Sequence, residues 1–183
     1  MIIYFSFART LLYNVRKKET SMGFSTADLC DEHGDALQVV EKDFRSYGAK
    51  ALFYGEIVTI KLDEDNRGLV EMLRDEKGKG RVAVVDVDEK FCAVVGDNLM
   101  GFAAKNGWAG IIINGYVRDT KITKTIDAGL FALGTCPRRS AKRADSIRGE
   151  ALEFGGVTFK QGEWIYADVD GVIVSEKELE LVF

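Results

Sequence analysis

Apolar residues follow two different periods along this chain. Ala51 to Leu62 (ALFYGEIVTIKL) is rich in β-branched and aromatic residues with partial alternation, which predicts a strand. Asp65 to Glu76 instead carries Leu69, Met72 and Leu73 at helical spacing behind acidic and amide caps, so an amphipathic helix ending before Gly78 is expected. Arg81 to Val87 (RVAVVDV) and Gly110 to Val117 (GIIINGYV) read as buried strands, and Asp97 to Asn106 reads as a helix closed by Gly107. A strand, helix, strand unit of this kind places two parallel strands side by side with the helix on one face. Upstream, Ser25-Thr26-Ala27-Asp28 has the hydroxyl and acid of a helix start, predicting a short N-terminal helix. Glu150 to Ser175 changes character: short β runs (ALEF, VTF, EWIYADV, GVIVS) are separated by Gly155-Gly156, Gly162 and Asp170-Gly171, a hairpin pattern. The sum is a mixed α/β chain with a layered β-rich part, without internal repeats and with Pro137 as its single proline.

Composition narrows the function classes. The 183 residues are 46% hydrophobic and 30% charged, the balance of one globular domain. A net charge of −4 has the wrong sign for a protein that binds phosphate backbones directly, so no nucleic-acid partner is expected. The charge is unevenly spread. Residues 1–21 hold Arg9, Arg16, Lys17 and Lys18 against Glu19 alone, a charge of +3, which leaves −7 for the rest. This divides the chain into an extension, 1–21, and a domain, 22–183. The apolar run from Met1 to Phe7 is too short for a secretory signal or for the roughly 20 apolar residues of a membrane span. An upstream extension ahead of Met22 and a cytoplasmic location are expected, with a mitochondrial presequence as the alternative. Cys30, Cys92 and Cys136 are odd in number and far apart, which suits a reducing compartment and neither a disulfide framework nor a thiolate zinc site. With one histidine, His33, multi-histidine metal sites are excluded. Catalysis must rest on carboxylates, Arg, Lys, water or a metal.

Two segments combine the required groups. In Val94-Val95-Gly96-Asp97-Asn98-Leu99, Gly96 precedes a helix start whose free amides suit a carboxylate. In Asn114-Gly115-Tyr116-Val117-Arg118-Asp119, the last two residues fall at the C-terminal end of a buried strand, where open α/β sheets place their ligand sites. Arg118 offers a planar fork for a carboxylate or enolate oxygen. Asp119 offers one hard oxygen ligand, enough for Mg²⁺ with its retained waters, and such an ion can act as a Lewis acid on a 2-oxo acid. Asp97 is a candidate for orienting water. On spacing alone, an Arg-Asp pair and a helix-capping acid remain the plain alternative.

Asp97, twenty intervening residues and then Arg118-Asp119 resembles the Asp-x20-Arg-Asp signature of the class II 4-hydroxy-4-methyl-2-oxoglutarate aldolase family, whose relatives include the regulator of ribonuclease activity A (the RraA-like proteins). Leu29-Cys30-Asp31, Lys79-Gly80-Arg81-Val82, Asn106-Gly107-Trp108-Ala109-Gly110, Phe154-Gly155-Gly156-Val157-Thr158-Phe159 and Tyr166-Ala167-Asp168-Val169-Asp170-Gly171 extend the resemblance over about Thr26 to Ser175. It implies a swivelling β/β/α domain in a homotrimer with active sites between subunits. It also implies a substrate loop at Gly96, Asp97, Asn98 and Leu99, a substrate-binding Arg118, and Asp119 as ligand to Mg²⁺ or Mn²⁺. The implied activities are pyruvate-forming retro-aldol cleavage and oxaloacetate decarboxylation of small 2-oxo acids, with a water near Asp97 and Arg118 relaying the proton. The regulator branch implies the alternative, a non-catalytic protein that binds and inhibits a ribonuclease. Regulators often lack part of the Asp, Arg, Asp set, which this chain keeps.

The chain departs from the family in two places. Asp86-Val87-Asp88-Glu89-Lys90-Phe91-Cys92 stands where the family continues Asp-Gly-Gly-Gly, and a Gly-x-Gly is replaced around Asp145-Ser146-Ile147. Both put bulk and charge where flexible backbone is expected. Other suggestive pieces have ordinary readings: His33 within Asp31-Glu32-His33-Gly34-Asp35 as an exposed helix end, and Gly78-Lys79-Gly80 as a turn rather than a phosphate loop. Pro137 to Arg143 (PRRSAKR) reads as a solvated loop, and Trp108 and Trp164 as packing residues rather than base-stacking platforms.

Overall fold

The computed structural model describes residues 23–141 and 146–181. The extension at 1–21 lies outside the described residues, as do Lys142, Arg143 and Asp145. Seven segments build the centre of the fold: β3 (Phe53–Lys61), α2 (Arg67–Asp75), β4 (Arg81–Asp86), β5 (Ala93–Val95), α3 (Asp97–Lys105), β6 (Gly110–Val117) and β7 (Gly129–Thr135). Before them come α1 (Thr26–His33), a 3-10 turn (Gly34–Ala36), β1 (Leu37–Val39) and β2 (Arg45–Ser46). α4 (Thr120–Thr123) links β6 to β7, and β8 (Ile147–Arg148), β9 (Leu152–Phe154), β10 (Val157–Phe159), β11 (Trp164–Ala167) and β12 (Val172–Ser175) complete the chain.

The main sheet runs β1-β12-β11-β3-β4-β6-β7-β2, with β5 beside β6 and β8 beside β3. Its middle is parallel: β3 with β4, β4 with β6, β6 with β7. The flanks are antiparallel, and β9 and β10 form a separate hairpin turning through Gly155 and Gly156, both at positive φ. The expected strand, helix, strand unit is present, with one addition. The chain leaves the sheet after Asp86 and re-enters as β5 beside Tyr116 and Val117, continuing the column that β4 began along β6.

The alternation of side chains explains the layers. Ala83, Val85, Ile111, Ile113, Leu130 and Ala132 belong to a core shared with Leu69, Met72 and Leu73 of α2 and Met100 and Ala103 of α3. Their neighbours Val82, Val84, Ile112 and Phe131 belong to a second core with Phe154, Val157 and Phe159 of the hairpin and Ile165 and Val174 of the flank. The result is helix, sheet and β-hairpin in three layers, the swivelling β/β/α arrangement expected. No helix among the described residues is long and apolar enough to cross a membrane.

Caps fix the helix ends. Ser25 accepts from the Asp28 amide at 3.4 Å, and Thr26 donates through both its amide and its hydroxyl to Asp168 at 2.7 Å, pinning α1 to the β11–β12 turn. The second helix is shorter than the predicted 65–76. Asp65, one residue before the N-cap Asn66, accepts from the Arg67 amide at 3.0 Å, and the Asn66 side chain donates to the Val94 carbonyl at 2.8 Å instead of capping. His33 corrects an expectation: it ends α1 partly buried, with Nε2 shielded from water and unpartnered, rather than exposed. Trp108 is 2% exposed and carries Arg81 over its ring at 5.1 Å, a packing role.

Gly110 and Gly129 lie opposite each other on β6 and β7, and the ring of Phe53 occupies the space above both. A side chain at either position would overlap that ring. Gly110→Ala is therefore expected to lower stability by about 1–3 kcal/mol, the usual cost of overpacking a filled core, measured by urea unfolding.

Candidate active site

The parallel strands β5, β6 and β7 end on one edge, and the loops that follow them line a cleft of about 750 Å³. Gly96, Asp97, Asn98, Leu99, Arg118 and Asp119 all line it, so the structure brings together every site residue predicted from sequence. Backbone pairing holds the two halves in register. The Arg118 amide donates to the Val95 carbonyl at 3.0 Å, tying the end of β6 to the end of β5 just before Gly96.

Asp119 sits in the left-handed region, with φ 58° and ψ 30°. Aspartate tolerates this conformation better than most side chains do. Its carbonyl accepts from the amides of Ile122 at 2.8 Å and Thr123 at 3.0 Å, so the strained turn also starts α4. The carboxylate is thereby swung back toward Gly96: a Cβ at position 96 would lie 2.5 Å from Asp119 Oδ2. Gly96 has φ −140°, which any residue adopts, so glycine is required here for space and not for backbone freedom. Arg118 Nε stands 3.3 Å from the same Oδ2, with both side chains more than a third exposed. An exposed pair of this kind adds little to stability. What it provides is a guanidinium and a carboxylate held at the same spot.

α3 begins at Asp97, and its N-cap, Gly96, has no side chain to satisfy the first amides. Asp97 Oδ1 accepts from the Asn98 amide at 2.8 Å, so the acid occupies part of the anion position that it borders. A substrate carboxylate would compete with Asp97 for that amide. Asn98 is exposed and Leu99 is 8% exposed, forming the floor of the turn.

Among the described residues, no group of three His, Cys, Asp or Glu side chains is arranged to hold a metal ion. A cation here would have Asp119 as its carboxylate ligand, and the open cleft would supply water. Such a donor set fits Mg²⁺ or Mn²⁺, which keep several waters, and does not fit a closed zinc site. The Asp31 to Asp35 stretch forms no such cluster either.

The cleft also contains residues that sequence reasoning missed. Asn66, Arg138, Arg139, Ser140 and Ala141 line it, so the first part of the basic run, exposed as expected of a solvated loop, is also a wall of the site. Ala93 donates to the Arg138 carbonyl at 2.8 Å and accepts from the Ser140 amide at 2.9 Å, a parallel bridge that adds this segment to the edge of β5. The missing signal was β7: a strand at 129–135 parallel to β6 delivers whatever follows it to the same edge.

Beside the cleft, the loop that replaces the family glycines still follows a path suited to glycine. Asp88 and Glu89 have φ of 51° and 56°. Ion pairs tie the loop to its neighbours: Lys61 with Asp86 and Asp88, Lys42 with Glu89, Lys90 with Asp63. Although burial opposes the charge on Lys61, hydrogen bonds to Asp86 and Asp88 raise its pKa above the ordinary lysine value. Phe91 packs edge-on against Tyr116 at 4.9 Å, and its carbonyl accepts from Arg138 Nη2 at 2.7 Å. Cys92 and Cys136 are buried nearby, and burial pushes the Cys92 thiol up, which keeps it in the unreactive thiol form.

The RraA-like family model (Aldolase/RraA) matches residues 26–174. A protein of Aromatoleum aromaticum named "Putative 4-hydroxy-4-methyl-2-oxoglutarate aldolase" is 46% identical over 159 residues, covering 86% of this chain and 99% of the relative. Two solved structures share the fold with a TM-score of 0.82 each. One, from Geobacillus kaustophilus, is described as an S-adenosylmethionine: 2-dimethylmenaquinone methyltransferase; it is 43% identical and covers 85% of this chain and 97% of its own. The other, the RNA-processing inhibitor RraA from Thermus thermophilis, is 33% identical and covers 88% and 98%. Three differently named proteins on one fold mean that activity must be argued from the site.

Gly96→Ala is expected to leave the unfolding free energy within about 1 kcal/mol, because its backbone suits alanine, while displacing the Asp119 carboxylate. Urea unfolding together with a crystal structure of the variant checks both halves.

Proposed function

Because the chain belongs to the RraA-like (Aldolase/RraA) family, we propose that it is a divalent-metal-dependent lyase that releases pyruvate from small 2-oxo acids. Its reactions on this reading are 4-hydroxy-4-methyl-2-oxoglutarate cleavage and oxaloacetate decarboxylation. The observation that carries the reading is the convergence of Gly96, Arg118 and Asp119 on one point beside a helix N-terminus that offers amides to a carboxylate.

Each residue then has a distinct task. The α3 amides at 97–99 take the substrate carboxylate, displacing Asp97 Oδ1 from the Asn98 amide. Arg118 hydrogen-bonds the 2-oxo oxygen and gains strength as that oxygen becomes an enolate, the differential binding that lowers a barrier. Asp119 holds Mg²⁺ or Mn²⁺, which supplies Lewis acidity to the 2-oxo acid when bound. Asp97, released from its cap, orients a water that takes the 4-hydroxyl proton as the C3–C4 bond breaks and returns it to the enolate carbon to give pyruvate. In oxaloacetate decarboxylation the same bond breaks with loss of CO₂ and the proton comes from solvent water. A homotrimer belongs to the same reading, and the exposed Val39, Ile122, Ile147 and Val169 are apolar surface available for contact with other copies.

The runner-up is a protein that binds and inhibits a ribonuclease, favoured by the 33% identity to the RNA-processing inhibitor. Binding of that kind uses surface patches and is indifferent to Arg118 or Asp119.

The test is pyruvate release from oxaloacetate and from 4-hydroxy-4-methyl-2-oxoglutarate, with Mg²⁺ or EDTA and a metal-only blank. Turnover above the blank is expected to vanish with EDTA and with Asp119→Ala, and to fall about 10²–10³-fold with Arg118→Ala, both variants retaining the wild-type circular dichroism spectrum. Wild-type rates equal to the blank on both substrates would overturn the lyase and favour the inhibitor.

A further inference from the structure

We propose that Ser140 is a phosphorylation site for an ATP-dependent serine kinase that reads basic residues, and that the phosphate closes the cleft to anionic substrates. The site stands on the geometry of the wall; its effect on turnover rests on the lyase reading.

The segment is presented as such a kinase requires. Ser140 follows Arg138 and Arg139, both exposed, and among the described residues neither arginine pairs with an acid. Their charge is available to an acidic peptide groove, the complementarity by which kinases of this class choose their serines. Ala93 donates to the Arg138 carbonyl and accepts from the Ser140 amide, so the backbone at 138–140 is held alongside β5. Ser140 is partly exposed, and among the described residues its hydroxyl has no hydrogen-bond partner. The transfer needs only ATP as co-reactant. The Ser140 oxygen attacks the γ-phosphorus, the new O–P bond forms as the bond to the ADP oxygen breaks, and the hydroxyl proton passes to the base of the kinase.

The product has a partner in place. Side chains alternate about the bridge residue Arg139, which puts residues 138 and 140 on one side. Arg138 Nη2 is anchored on the Phe91 carbonyl at 2.7 Å, and most of its five donors remain for the phosphate oxygens. The cleft then changes sign. Its charged lining is Arg118, Arg138 and Arg139 against Asp97 and Asp119, so cations are in excess before modification. A phosphoserine brings nearly two negative charges to the same cavity and reverses that excess. An anionic 2-oxo acid is drawn in by the first field and repelled by the second.

Two experiments separate the site from its effect. In the first, the full chain is incubated with ATP and the catalytic subunit of cAMP-dependent protein kinase, which prefers basic substrates, and the phosphate is located by mass spectrometry. Phosphate is expected on Ser140, absent from Ser140→Ala, and reduced about tenfold in Arg138→Gln/Arg139→Gln. No phosphate on Ser140, or labelling indifferent to the arginines, overturns the site. In the second, phosphoserine is placed genetically at position 140, so the result does not depend on a kinase. Its ³¹P titration is expected to give a second phosphate pKa below the ordinary value of about 6, because the guanidinium favours the dianion, and to return to it with Arg138→Gln. Equal values with and without Arg138 overturn the pairing. With Mg²⁺, the apparent KM for oxaloacetate is expected to rise about tenfold and to recover on phosphatase treatment. An unchanged KM with turnover intact overturns the closure and leaves the lyase standing. Absence of metal-dependent turnover in the unmodified chain overturns the lyase reading and with it the effect on turnover, while the labelling and the ³¹P titration still decide the site.

Discussion

Parallel pairing of β4, β6 and β7 is the constraint on which the rest of this structure depends. Parallel strands need crossovers, and because the strands run the same way every crossover leaves from one edge and returns to the opposite one. Here α3 and the α4 segment carry the chain back after β5 and β6, so the turns at 96–99, 118–119 and 136–141 all open on the same edge. No single residue recruits the site. The topology delivers three loops to one place, and the core residues Val84, Ile112 and Phe131 on one face and Val85, Ile113 and Ala132 on the other keep them in register.

That arrangement explains which parts of the fold were legible in the sequence. Gly110 to Val117 matched its strand residue for residue, because Ile111-Ile112-Ile113 and Tyr116-Val117, bounded by Gly and Arg, are β-branched and aromatic residues that favour a strand. The helices at Leu69, Met72, Leu73 and at Asp97 were equally plain, to within two residues at their ends. β7 passed unnoticed because Gly129 to Thr135 (GLFALGT) carries glycines that weaken a strand pattern, and its first one is there to make room for Phe53. β5 was invisible for a different reason: three residues carry no period. Of the candidate site, the Gly96 and Arg118-Asp119 halves were readable from their positions at helix start and strand end. The Arg138 and Arg139 wall was not, since it depends on the strand that was missed.

The loop at 86–92, the first departure from the family, keeps backbone angles that suit glycine although it has none. Asp88 and Glu89 adopt left-handed angles that glycine would take at no cost, and a left-handed residue costs roughly 1–2 kcal/mol. Lys42 and Lys61 bind the two acids from neighbouring segments, which converts a flexible connection into a cross-linked one. Asp86 reinforces it: 4% exposed, it accepts from Asn114 Nδ2 at 2.8 Å and from the Asp88 amide at 3.0 Å, besides Lys61. A buried carboxylate with this many donors holds the exit of β4 firmly. The other departure ends in β8, where Ile147 and Arg148 pair with Lys61 and Ile60, so it too is tied to the sheet.

The consequence reaches the site. Phe91, at the end of the cross-linked loop, presents its carbonyl to Arg138 and its ring to Tyr116 of β6, so the loop and the cleft wall are tied together. At the opposite wall, the Arg118 and Asp119 pair is too exposed to stabilise the fold by much and is nevertheless held by a left-handed turn and a missing Cβ. Strain kept at a place where it contributes little to folding is most simply explained by what that place must hold.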